Sequence, residues 1–184
     1  MLNVTSVAQD CAVERKVVEN YFSILEDLLI AYRIPVFAKR AKRRLVKHQK
    51  FYFFDVGVYR AIRPSGPLDR PEEIDGIALE TLLFQELISV NSNFGLDYKL
   101  HFWRTSNGVE VDFVLYGDKG IFAFEIKRVS KIRSGMLSGL KSFHRDYPEA
   151  RIFFVYGGNR VMHDGEIEIV PIDRLLKNLK DILI

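Results

Sequence analysis

Apolar and polar residues alternate over VEVDFVLY (109–116) and IFAFEIK (121–127), the period of half-buried strands. Between them lies GDKG, with Asp118-Lys119 as a two-residue turn flanked by glycines. That register pairs residues whose numbers sum to a constant, so Asp112 faces Glu125 and Glu110 faces Lys127. Two-residue periodicity then puts Lys127 on the same face as Glu125. Further strands are predicted over Tyr98–Arg104 and Arg151–Tyr156, with a turn at Gly157–Asn159 and a hairpin over Arg160–Val170. Apolar spacing of three and four predicts helices over 74–90, 136–147 and 172–184. From residue 74 the order is α-β-β-β-α-β, which implies an α/β fold with a mixed (α+β) sheet.

Ahead of this block, SVAQDCAVERKVVENYFSILEDLLI predicts a short helix at Val7-Ala8, a turn near Cys11-Ala12-Val13 and a longer amphipathic helix. Its buried stripe is expected to be Val17, Val18, Tyr21, Ile24, Leu25, Leu28 and Leu29. This pattern resembles the later helices of a winged helix-turn-helix whose first helix is missing, so the chain is expected to begin inside such a domain. Strands over Ala31–Phe37 and Lys50–Phe54 would flank its wing. The solvent-facing set, Arg15, Lys16, Glu19, Asn20 and Ser23, has mixed charge, and Glu19 would repel phosphate. A packing or protein-contact role therefore fits this helix better than reading DNA. IRPSGPLDRP (62–71) holds three of the six prolines and reads as a linker. It divides the chain into a helix-turn-helix-like segment, 1–62, and a second domain, 72–184.

The net charge of +3 is unevenly spread. Residues 1–50 hold ten Lys/Arg against five Asp/Glu, leaving seventeen against nineteen for the remainder. Most of the excess lies between Lys39 and Lys50. Lys39, Arg40, Lys42, Arg43, Arg44 and Lys47 are candidates for contacting a phosphate backbone, with a solvated loop as the alternative. No apolar run approaches a membrane span, and a single cysteine, Cys11, gives neither an internal disulfide nor a zinc pattern. A reducing, cytoplasmic setting is expected. The four histidines are scattered, and the lone Trp103 reads as packing rather than as a base-stacking platform.

The opposed acids carry the chemical signal. Side chains directly across an antiparallel pair lie about 4.5–5.5 Å apart at Cβ. Two carboxylates so placed repel unless a cation or a shared proton relieves them, and a divalent ion is the candidate. On the 74–90 helix, Glu80 and Glu86 flank the apolar stripe of Leu79, Leu83, Leu87 and Val90, each about 60° from its centre at 100° per residue.

Glu80 on the first helix, Val111-Asp112 on the second strand and Glu125-Ile126-Lys127 on the third, within α-β-β-β-α-β, resemble the PD-(D/E)XK nuclease superfamily, whose core is restriction-endonuclease-like. Val111 stands where a proline often precedes the aspartate. More narrowly, GIALETLLFQELI, WRTSNGVEVDFVL, FEIK, LKSF and IVPIDRLL look like the domain of unknown function that follows an AAA-type ATPase module in many archaeal and bacterial proteins. LEDLLIAYRIPVF and KFYFFDVGVYRAI extend the likeness into the first sixty residues. The ATPase phosphate loop, G-x-x-x-x-G-K-[ST], does not occur here.

The resemblance implies Mg²⁺ or Mn²⁺ held by Glu80, Asp112 and Glu125 with the Ile126 carbonyl, Glu86 being the substitute if the helix is rotated. It implies Asp112, Glu125 and Lys127 as the catalytic set for phosphodiester hydrolysis, Lys127 holding the attacking water or stabilising developing charge. The implied partners are nucleic acid, DNA before RNA, and an AAA-type ATPase module normally in the same chain. The alternative is a catalytically inactive binding module in which Lys127 neutralises both acids with no metal bound.

Overall fold

A computed structural model of the chain describes residues 1–63, 66 and 71–184. The linker expected over 62–71 falls mostly outside them. Two helices open the chain: α1 (Val4–Asp10), capped by the Asn3 side chain, and α2 (Arg15–Asp27). A two-stranded antiparallel hairpin follows, β1 (Ala31–Ile34) with β2 (Lys50–Phe53). A helix the hydrophobic pattern did not announce comes next, α3 (Val56–Ile62). Asp55 starts it by accepting the backbone N–H groups of Gly57 and Val58.

The second block runs α4 (Pro71–Asn93), β3 (Lys99–Arg104), β4 (Glu110–Gly117), β5 (Gly120–Lys127) and α5 (Ser138–Asp146), the last entered through a 3-10 turn at Ser134–Leu137. It ends with β6 (Arg151–Tyr156), β7 (Met162–Asp164), β8 (Ile167–Pro171) and α6 (Ile172–Leu183). The expected α-β-β-β-α-β order is present, in a six-stranded mixed sheet ordered β3-β4-β5-β6-β8-β7. β5, β6 and β8 run parallel, while the β3-β4-β5 meander and the β7-β8 pair are antiparallel. Gly117 lies opposite Gly120 and Phe113 opposite Phe124, the register the GDKG turn predicts.

Helices cover both faces of the sheet. Leu83, Phe84 and Leu87 of α4 and Leu175, Leu179 and Leu183 of α6 pack with Phe113, Phe124 and Phe153. On the other side Leu140 and Phe143 of α5 pack with Trp103, Val111, Val114 and Phe154. Trp103 is 1% exposed and meets Phe143 edge-on, so it packs, as its place in a strand implies. α5 approaches β4 so closely that a Cβ on Gly139 would stand 2.1 Å from the Glu110 carbonyl oxygen. Only glycine permits that approach. Among the described residues no helix is long and apolar enough to cross a membrane.

Two expectations need correction. The β1–β2 connection is not a wing projecting into solvent. It lies along β3: Val36 bridges Phe102, Leu45 bridges Thr105, and the Val46 N–H donates to the Arg104 carbonyl at 3.1 Å. Phe37 is the anchor, 1% exposed, with its ring 5.1 Å from that of Tyr147 and 5.6 Å from that of Tyr116. The stripe expected to be buried on α2 is also mostly exposed. Val18 alone is buried, whereas Val17, Tyr21, Ile24, Leu28 and Leu29 face outward. Periodicity marked the face as apolar, but α1 and the hairpin cover only its Val18 side.

Phe37→Ala is expected to lower the unfolding free energy by about 3–5 kcal/mol, the cost of emptying a well-packed aromatic site. Urea denaturation of both proteins reads this as a shift in midpoint at unchanged slope. A loss below about 1 kcal/mol would show that Phe37 does not anchor the connection.

Candidate functional site

The β4–β5 ladder ends at Phe113 and Phe124, one residue short of Asp112 and Glu125. The two acids thus stand where the strands part. Asp112 Oδ2 accepts the Ile126 N–H at 3.0 Å, supplying an acceptor that the ended ladder does not. Both side chains are buried, and Glu80 reaches the same place from α4.

One of the two ammonium groups that neutralise them comes from far off in the chain. Lys50, the first residue of β2, places Nζ 2.6 Å from Glu110, 2.7 Å from Glu80 and 3.1 Å from Asp112. Tyr52, two residues on and so on the same face, donates its hydroxyl to Glu80. Arg104 takes the other Glu110 oxygen at 2.8 Å. Lys127 lies 2.7 Å from Glu125 Oε1 and 4.0 Å from Asp112 Oδ2. Glu125 Oε2 is left over, buried and without a hydrogen-bond partner.

The electrostatics follow from this crowding. Burial pushes the Glu125 carboxyl up to about 8, with the Asp112 charge adding to it and Lys127 opposing. Glu80 is raised by burial and by Asp112, against the pull of Lys50. Burial disfavours the ammonium groups of Lys50 and Lys127, but the surrounding carboxylates outweigh it and both are raised. Burial, then Glu80, holds the Tyr52 phenol well above its ordinary value.

Glu80, Asp112, Glu125 and Lys127 are therefore brought together, and the helix acid that enters is Glu80 rather than Glu86. Glu110 does not pair with Lys127 as the extended register implied; it turns to Lys50 and Arg104. Sequence reasoning missed Lys50, Tyr52, Arg104 and Glu110 as members of the cluster. A signal existed for the first two: KFYF alternates, and a lysine on the buried side of a strand needs a charged partner.

The basic segment divides. Arg43 pairs with Asp146 at 2.7 Å, and Lys39 sits 3.9 Å from the centre of the Tyr116 ring. Arg40, Lys42, Arg44 and Lys47 are exposed. The Arg44 carbonyl accepts the Ser106 N–H at 2.9 Å, which places Arg44 beside the β3–β4 turn, at the cluster's end of the sheet. Arg40 lines a cavity with Tyr116 and Ile121 at the other end, and Lys47 one with Arg15 and Arg33. Arg128, just after Lys127, pairs with Asp75 at 2.6 Å, while Lys131 and Arg133 are exposed.

The fit to a divalent ion is set by these contacts. Mg²⁺ requires about six oxygens near 2.0–2.1 Å. Here one oxygen each of Glu80, Glu110 and Asp112 converges on the Lys50 ammonium, the second Asp112 oxygen is held by Ile126, and Glu125 Oε1 is held by Lys127. Among the described residues no three His, Cys, Asp or Glu side chains are arranged to hold a metal. In this arrangement the donor set fits an ammonium and not a divalent ion.

The chain belongs to the family described as Domain of unknown function (DUF4143), which matches residues 75–175. Residues 1–69 match a second, Domain of unknown function (DUF8612). The chain is similar to the uncharacterized proteins Mb2031c of Mycobacterium bovis and Rv2008c of Mycobacterium tuberculosis. Each is 27% identical over 177 residues, covering 92% of this chain. The chain spans 38% of the length of these relatives.

Lys50→Met is expected to destabilise the fold by about 3–5 kcal/mol, because it leaves buried carboxylates unneutralised. Urea unfolding near neutral pH measures it, and a change under about 1 kcal/mol would show that the acids find other compensation. A second expectation concerns pH. Between the ordinary value of 4.5 and about 8 the folded chain keeps a proton on Glu125 that the unfolded chain has lost. The unfolding free energy therefore falls as pH rises through that window. Glu125→Gln cannot ionise and is expected to flatten the fall, read as thermal midpoints across the window in chelator-containing buffer. An unchanged pH profile in the variant would assign the dependence elsewhere.

Proposed function

We propose that this chain is a nuclease-like module that binds nucleic acid without cleaving it, and that its acid–lysine cluster ties the β1–β2 hairpin to the sheet. The observation that carries the reading is the position of Lys50 Nζ, within 3.1 Å of Glu80, Glu110 and Asp112. A tethered ammonium stands where a hydrolytic metal would be needed, so the acids serve cohesion. Binding is supported by the exposed Arg44 beside the β3–β4 turn, with Lys42 and Lys47 exposed on either side of it in the chain, and by Lys131 and Arg133 in the loop that follows β5 at the same end of the sheet. Such a rim neutralises backbone phosphates irrespective of sequence. On the resemblance in sequence, the module is the C-terminal part of a cytoplasmic AAA-type ATPase, with DNA before RNA as the ligand.

A second reading, the Mg²⁺- or Mn²⁺-dependent nuclease, is favoured by one observation: Glu125 Oε2 is buried, unpartnered and beside Asp112. It requires Lys50 to leave the cluster. The two readings part in a single set of measurements. Duplex DNA binding, followed by fluorescence anisotropy against salt, is expected to weaken steeply as salt rises. In a Lys42→Gln, Arg44→Gln, Lys47→Gln triple variant the log–log salt slope should shrink by roughly 2–3. Supercoiled plasmid incubated with Mg²⁺ or Mn²⁺ is expected to stay intact. Cleavage that disappears in Asp112→Ala and in Lys127→Ala would overturn the non-cleaving reading in favour of the second, and salt-independent binding would sink the phosphate-contacting rim.

A further inference from the structure

The outward face of α2 points to a partner. Val17, Tyr21, Ile24 and Leu28 fall within about 60° of one another at 100° per residue, and all four are exposed, Tyr21 by 66% and Leu28 by 62%. Beside them an apolar cavity of about 260 Å³ is lined by Val7, Cys11, Val13, Val17, Tyr21 and Leu25, among others. Folded chains rarely leave a contiguous apolar face of this kind uncovered.

The charges beside the face say what fits it. Lys16 and Asp27 are both exposed, and neither forms an ion pair with a described residue. They lie five residues before and six residues after Tyr21, and on the same flank of the helix, about 20° apart. In a two-fold arrangement that sets two copies of α2 antiparallel and face to face, each flank meets the same flank of its partner. Lys16 of one copy then falls opposite Asp27 of the other, twice, with Tyr21 near the axis. A parallel two-fold arrangement would set this flank against the opposite one, so Lys16 and Asp27 would not meet.

We propose that α2 is a self-association surface on which a second copy of this chain docks antiparallel, with Tyr21 at the two-fold axis and reciprocal Lys16–Asp27 pairs at the ends. A 13-residue helix is about 20 Å long. The face thus sits at the low end of specific interfaces, which calls for a reversible, concentration-dependent dimer rather than an obligate one.

Sedimentation velocity of the full chain over a wide concentration range tests this. The wild type should move from monomer towards dimer as concentration rises, while Tyr21→Lys stays monomeric with an unchanged thermal midpoint. Lys16→Asp alone and Asp27→Lys alone should each weaken the dimer by roughly tenfold or more. An equimolar mixture of those two variants should recover it, because every cross-pair in the mixed dimer is again of opposite sign. A wild type that is monomeric throughout overturns the proposal and leaves the face to another occupant. A dimer that survives Tyr21→Lys, or a mixture that fails to recover, overturns it as well.

Discussion

Three carboxylates from two elements share one ammonium, and the relation between the two halves of the chain depends on that sharing. Glu80 on α4 and Glu110 and Asp112 on β4 are held within 3.1 Å of Lys50 Nζ. Two unit charges about 4 Å apart interact by roughly 4 kcal/mol at an effective dielectric constant of 20. Acids this close and this buried therefore require a compensating charge. Because Lys50 opens β2, burying the acids of the sheet and seating the first hairpin are one event. Phe37 and the bridges at Val36 and Leu45 complete the same seating on the opposite side of the connection.

Much of this was legible in the sequence, for local reasons. The β4–β5 register follows from a two-residue turn between alternating segments, and Asp112, Glu125 and Lys127 follow from strand spacing. Helix spacing leaves Glu80 and Glu86 equivalent, and the resemblance to the nuclease superfamily is what singles out Glu80. Lys50 was not legible in the same way. It lies 30 residues from Glu80 and 62 from Asp112, at the end of a basic run that disguises it as one more solvated lysine. The premise that opposed carboxylates need a cation or a proton survives. Two ammonium groups, and a Glu125 carboxyl that keeps its proton up to about 8, meet that need.

The α2 face shows a different limit. Helical periodicity reports that one side of a helix is apolar, and says nothing about whether the covering surface lies in the same chain. α3 escaped notice because it is short and begins at Asp55-Val56-Gly57, where the cap rather than any apolar stripe is the signal.

The segment laid along β3 also decides how the sheet ends. An open sheet offers its outermost backbone groups to any passing strand, the usual route to aggregation by strand addition. Here the Phe102 N–H is spent on the Pro35 carbonyl, the Phe102 carbonyl on Phe37, and the Arg104 carbonyl on Val46. The opposite edge, β7, is three residues long. With one margin occupied by its own chain and the other too short to template a neighbour, the sheet is closed to growth.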